Sequence, residues 1–315
     1  VIISTLTYTL YGGLRASIFT DNIQMFVIAV LLLITISYIT LFNGENFSFE
    51  FIESKNPQLL SSSYVPSYTA GLTFFIAVAA TNLFHQGNWQ RVYAAKNYEI
   101  LKKALIISFL IIVPIVFFMG FIGMVSFSID PTNRPDLGFF TLLLKEQTEL
   151  LSLLIIVLGL ALTISTVDTL VNAISSLFVV DGKATFNFDK KTDYLKLSKY
   201  FIIAISIVVF IVSSKGFDIL YLFLLADLFC CAFVLTVFYS FYNKKINEKT
   251  AYISIIVGLI AGFLIFPFPD FSKSLLVGVL LPKDIFSPFI AQSLLFLSFF
   301  IATFLPAVIL KIKKI

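Results

Sequence analysis

Polar residues are spaced along this chain so that long apolar stretches recur between short polar ones. The stretches cover about Thr20 to Phe42, Ser67 to Phe84, Ala104 to Phe127, Leu150 to Val180, Tyr200 to Ser213, Ile219 to Tyr242, Ala251 to Phe266 and Pro288 to Leu310. Most reach or approach the roughly 20 residues that an α-helix needs to cross a hydrocarbon core about 30 Å thick. They predict eight complete spans. Val1 to Tyr11 is too short to cross and reads as the end of a further helix, stopped by Gly12-Gly13. Thr20 is then expected to cap the next helix, with Asp21 favourable in its first turn. Gln86 to Lys103 mixes basic, aromatic and small residues and reads as an amphipathic stretch at the interface. Pro114, Gly120 and Gly123 permit a bend and close helix contact in the span that follows.

One span breaks the apolar pattern in an ordered way. At 100° per residue, Ser165, Thr169, Asn172 and Ser176 share a narrow helix face, with Asp168 and Ser175 on its shoulder. An aspartate near the middle of a bilayer costs about 2.5–3.5 kcal/mol on insertion scales, so such a stripe requires partners or a ligand. The plain reading of intramembrane Ser and Thr is that they bond back to their own helix or join neighbouring helices. With Asp168 and Asn172 beside them, the wall of an ion or solute pathway is the stronger reading.

Composition narrows the class. With 59% hydrophobic and only 13% charged residues, the chain departs from soluble domains, in which about a quarter of residues are charged. The runs exceed the length of a barrel strand, so the class is all-α and polytopic. The net charge of +4 is not a nucleic-acid footprint, because basic residues here sort by side of the membrane. If the loop after Gly12 is cytoplasmic, the opposite side keeps only Lys55, Arg134, Lys145, Lys215, Lys273 and Lys283 of the 22 basic residues. The positive-inside rule therefore predicts a cytoplasmic C-terminus in a plasma membrane, with a bacterial inner membrane expected. Cys230 and Cys231 are adjacent and offer neither a bridge nor a spaced metal pair. The chain begins within an apolar run without Met, and is expected to be the C-terminal part of a longer protein.

Three strings resemble the sodium:solute symporter family. Tyr11 to Gln24 is similar to its Gly-Gly-Leu-x-Ala-x-x-x-Thr-Asp-x-x-Gln signature, and Ser165 to Asn172 to its Ser-Thr-x-Asp-Ser-x-x-Asn motif. Gln86 to Lys96 is similar to its Gln-x-x-x-Gln-Arg-x-x-Ala-Ala-Lys string. The resemblance implies a core of two inverted five-helix repeats with solute and ion near the midplane. Residues 1–315 then form one transmembrane transporter domain, N-terminally truncated. Residues 67–242 are the second repeat, most of the first is missing, and 243–315 supply additional helices.

By position, the resemblance implies that Ser165 Oγ, Thr166 Oγ1 and the Leu162 carbonyl form half of a sodium site, with Asp168 and Asn172 supporting it and Asp21 on the ion exit path. Where sugar-transporting members carry an aromatic pair, this chain has Thr81 and Asn82, which points to a smaller polar solute. His85, a turn beyond, is a candidate solute contact or an interfacial hydrogen-bonding group. Asp227 has no match in the family pattern and reads as a structural pair or a solute contact. The resemblance implies sodium-coupled uptake of a urea-like amide, a carboxylate or an amino acid, the Phe84 to Arg91 string looking most like the urea-transporter-like branch. It implies no enzyme and no resident cofactor, sodium being cargo. Two rivals are a membrane sensor carrying a symporter-like domain and an intramembrane aspartyl protease using Asp168 and Asp227, which lack the Gly-x-Gly-Asp string such enzymes share.

Overall fold

The computed structural model describes residues 2–42, 44–144, 148–185, 193–243, 246–271, 273–280 and 288–312. In chain order the helices are α1 Ile2–Phe42, α2 Phe49–Lys55, α3 Val65–Phe84, α4 Gln86–Ala94, α5 Tyr98–Ile129 and α6 Gly138–Leu143. They continue with α7 Glu149–Thr185, α8 Tyr194–Ser213, α9 Ile219–Tyr242, α10 Glu248–Ile265, α11 Leu275–Leu280 and α12 Pro288–Ile312. Among the described residues the only β pairing is an isolated bridge between Pro267 and Ser274. Eight of the helices are long and apolar enough to cross a membrane. The protein is an all-α, multi-pass membrane protein. Its spans present wide apolar surface, as along α5, where Phe109, Leu110 and Phe117 are each more than 60% exposed. Such a belt is stable only against lipid.

The N-terminal expectation is corrected. No loop follows Gly12-Gly13: helix continues from Ile2 through both glycines to Phe42, and Arg15 is an exposed helical residue. A glycine costs only about 1 kcal/mol in a helix interior, whereas an open helix end in lipid leaves several backbone groups without partners, each costing several kcal/mol. Continuity wins. Thr20 is accordingly no cap; its hydroxyl lies 3.0 Å from the carbonyls of both Ala16 and Ser17. The Gln86 to Lys103 stretch divides instead, with α4 ending at Ala94 and Asn97 Oδ1 capping α5 by accepting from Ile100 N at 2.9 Å.

The chain forms two units. The first, Val1–Leu60 with Gln86–Ser214, packs α1, α4 and α8 against α7 and sets α2 and α6 on α5. Its core gathers Ile39, Ile52, Phe121, Ile122, Val125, Leu142, Leu143 and Leu151. After α5 the chain turns at Asp130, whose Oδ1 accepts from Thr132 N at 2.9 Å and from Thr132 Oγ1 at 2.8 Å. These bonds, the amide's first, hold this exposed carboxyl below the usual range.

The second unit, Ser61–His85 with Lys215–Ile315, packs α3, α9, α10 and α12 around Ala77, Ala80, Leu224, Leu228, Cys231, Val234, Phe266, Phe299 and Ala302. Here α10 and α12 meet at van der Waals distance. A Cβ on Gly258 would collide with Pro306 Cγ and lie 2.8 Å from its Cδ, and one on Gly262 would lie 2.9 Å from Ala302 Cβ. Ser298 Oγ donates to the Gly262 carbonyl at 2.9 Å across the same seam. Because a proline ring cannot rotate away, Gly258→Ala is expected to destabilise the protein by about 1–3 kcal/mol through overpacking. Thermal unfolding in detergent micelles checks this, and an unchanged melting temperature refutes it.

Candidate functional site

The polar stripe of α7 meets α1 and α4 inside the first unit. Spacing of three and four residues puts Ser165, Asp168, Thr169, Asn172 and Ser176 along the face turned to these neighbours. Asp168 is the most enclosed member, with no exposed surface. Its Oδ2 accepts from Tyr8 OH at 3.0 Å and lies 3.0 Å from Thr20 Oγ1 on α1, while its Oδ1 accepts from Asn172 Nδ2 at 2.8 Å. The Thr20 proton has three acceptors in reach and serves one at a time.

One layer along, Asp21 of α1 links three helices. Its Oδ1 accepts from Ser165 Oγ at 2.9 Å, and its Oδ2 forms an ion pair with Arg91 Nη2 of α4. The same Nη2 lies 2.9 Å from Thr169 Oγ1, and Nη1 donates to the Gly87 carbonyl at 3.1 Å. Arg91 and Asp21 retain 37% and 20% side-chain exposure, so this layer is less enclosed than that of Asp168. In a third layer Gln90 Nε2 donates to Ser176 Oγ and, at 3.2 Å, to the Asn172 carbonyl. Within this unit Ser17 Oγ, Gln24 Oε1, Gln90 Oε1 and, on α5, Ser126 Oγ are buried with no partner among the described residues.

The proposed sodium ligands lie within one turn of α7, turned to different partners. Thr166 Oγ1 donates to the Leu162 carbonyl at 2.9 Å, while Ser165 donates to Asp21. A hydroxyl that gives its proton to a neighbouring acceptor keeps its lone pairs for a cation, whereas the Leu162 carbonyl already accepts from the Thr166 hydroxyl beside its helix bond and would have to release it to bind one. The grouping of Asp168 with Asn172 follows from their spacing. Tyr8, Gln90 and Arg91 were not legible as members. Arg91 reads in the sequence as a topology anchor, and nothing local ties it to Asp21, which has the opposite charge of Arg15 six positions before it on the same helix.

The four expected solute contacts, Thr81, Asn82, His85 and Asp227, belong to the second unit. Thr81 Oγ1 donates to Asp227 Oδ1 across α3 and α9, and it also lies 3.0 Å from the Ala77 carbonyl. Asp227 is 3% exposed. Asn82 Nδ2 donates to the Val78 carbonyl at 2.9 Å. His85 follows the last turn of α3 as its C-cap, its backbone N–H donating to the Asn82 carbonyl at 3.4 Å.

Residues 1–258 match the model of the sodium:solute symporter family. A curated relative, named as the spermidine transporter DUR31 of Candida albicans (strain SC5314 / ATCC MYA-2876), is 26% identical over 239 residues, covering 74% of this chain and 44% of the relative. The chain thus spans less than half the length of that relative. No solved structure matches.

Proposed function

The chain belongs to the sodium:solute symporter family, and on that premise we propose that it handles ion and solute in a secondary transporter that moves a small polar solute into the cell with sodium. The observation that carries this reading is the layered contact of α1, α4 and α7, in which hydroxyls, carbonyls and the carboxylates of Asp21 and Asp168 gather between apolar spans. Sodium, as cargo, would be held by Ser165 Oγ, Thr166 Oγ1 and the Leu162 carbonyl, with Asp21 orienting the Ser165 proton and standing on the exit path. Asp168 and Asn172 brace the α7 turn that presents these oxygens. A monovalent cation moving down 100 mV releases about 2.3 kcal/mol, before its concentration gradient adds more. Sodium bound preferentially in one conformation shifts the population toward it, and the size of the shift is set by that preference alone.

Residues 67–242 correspond in this reading to the second inverted repeat and 243–315 to additional helices. The asymmetry of basic residues supports a cytoplasmic C-terminus in a plasma membrane. Thr81, Asn82, His85 and Asp227 contribute to the solute side. The absence of a sugar-stacking aromatic pair supports a small solute: a urea-like amide, a carboxylate or an amino acid. The printed name of the relative adds amines to that range.

The test is uptake by the full-length protein in sealed vesicles with and without a sodium gradient. The Ser165→Ala, Thr166→Ala double variant is expected to lose sodium stimulation by about tenfold or more, since each oxygen ligand removed costs on the order of a hydrogen bond to a charge. Full sodium stimulation in that variant overturns the site.

A further inference from the structure

Among the described residues of the second unit, Asp227 is a charged side chain set away from the ends of its span, and the family motifs leave it without a role. It lies eight residues into α9, about 12 Å from the helix start at 1.5 Å per residue. Fully buried Leu224, Leu228 and Cys231 neighbour it on the same helix. Thr81 Oγ1 engages Oδ1. Among the described residues no Lys or Arg pairs with it. One turn beyond Thr81, the Phe84 ring packs edge-on against Phe233 of α9 with centroids 6.4 Å apart.

A carboxylate buried without a countercharge carries an uncompensated desolvation cost, which a cationic ligand removes. A bare metal cation fits poorly, because it needs several oxygen ligands and the α3–α9 contact brings together one carboxylate and one hydroxyl among Leu, Cys, Ala and Phe. An ammonium group on a carbon chain fits both parts. Its N–H groups can donate to Asp227 and to the Thr81 lone pairs, while its methylenes lie against apolar and aromatic side chains. Resting on the reading of the chain as a solute transporter, we propose that Asp227 and Thr81 form the recognition site for the ammonium group of an alkylamine solute. This selects amines among the solute classes above.

The experiment measures binding of n-butylammonium, 1,4-diaminobutane and neutral butyramide to the purified full-length protein in micelles, by calorimetry, with the sodium response of uptake recorded after the same preparation is reconstituted into sealed vesicles. Wild type is expected to bind both amines and to discriminate against butyramide. Asp227→Asn is expected to lose roughly 10- to 100-fold of amine affinity, the loss of a hydrogen bond to a charge, while its ligand-free melting temperature stays level or rises because a buried charge is gone. Thr81→Val, which leaves the charge in place, is expected to weaken amine binding severalfold. Equal amine affinity in wild type and both variants overturns the proposal. So does a wild type that responds to sodium yet binds no amine. Amine binding that depends on Asp227 in a protein without a sodium response supports this site and sinks the sodium reading instead.

Discussion

Asp168→Ala is expected to destabilise the protein by about 2–5 kcal/mol, the largest single effect in the first unit. Three donors converge on this carboxylate, from Tyr8, Thr20 and Asn172. Hydrogen bonds to a charged group contribute about 1.5–3 kcal/mol each, whereas removing an aspartate from membrane depth recovers only about 2.5–3.5 kcal/mol in total. The bonds outweigh the recovered desolvation. Thr20 retains its two helix carbonyls and Asn172 the Asp168 backbone oxygen at 3.2 Å, so Tyr8 is left most exposed to loss. Asp168→Asn should cost less, because one amide oxygen still accepts from two donors. Equilibrium unfolding in mixed micelles measures the order Ala, then Asn, then wild type. An alanine variant as stable as wild type would show that the network contributes no net stability.

Arg91→Ala is expected to cost about 2–3 kcal/mol and to depress sodium-stimulated uptake. Breaking a fully buried ion pair costs about 3–5 kcal/mol by stranding the other charge. The partial exposure of Arg91 and Asp21 places this pair at or below the lower end. Arg91→Lys should not restore stability, because a point ammonium cannot span Asp21, Thr169 and the Gly87 carbonyl as the planar fork does. A double-mutant cycle with Asp21→Ala isolates the pair, and a coupling energy indistinguishable from zero refutes the assignment.

The spans and the α7 stripe were legible because both depend on local periodicity. Apolar run length needs no partner to be read, and Ser165, Asp168 and Asn172 fall on one face whatever they touch. What the stripe touches depends on long-range packing, which periodicity does not encode. Tyr8 and Thr20 lie on a stretch of helix where polar residues such as Thr5, Thr7, Ser17, Asn22 and Gln24 point in many directions, so nothing local marks them as facing Asp168. The Gly12-Gly13 pair misleads for another reason: its breaking tendency is a preference measured in water, and lipid reverses it by penalising unpaired backbone more heavily. Arg91 carries two compatible signals, a boundary charge and a partner for Asp21, and only the fold separates them.

The bonds that assemble the α1–α7 layers join residues 144 to 160 positions apart. Ribosomes add about 5–20 residues per second, so α1 is made roughly 7–30 s before the helix that satisfies it. For that interval Tyr8, Thr20 and Asp21 enter the membrane without the groups that later hold them. Asp21 waits for Arg91 for about half as long, since α4 emerges midway. Biogenesis therefore passes through an intermediate in which α1 must be sheltered by the insertion machinery, and slowing synthesis between α1 and α7 lengthens its exposure to membrane quality control.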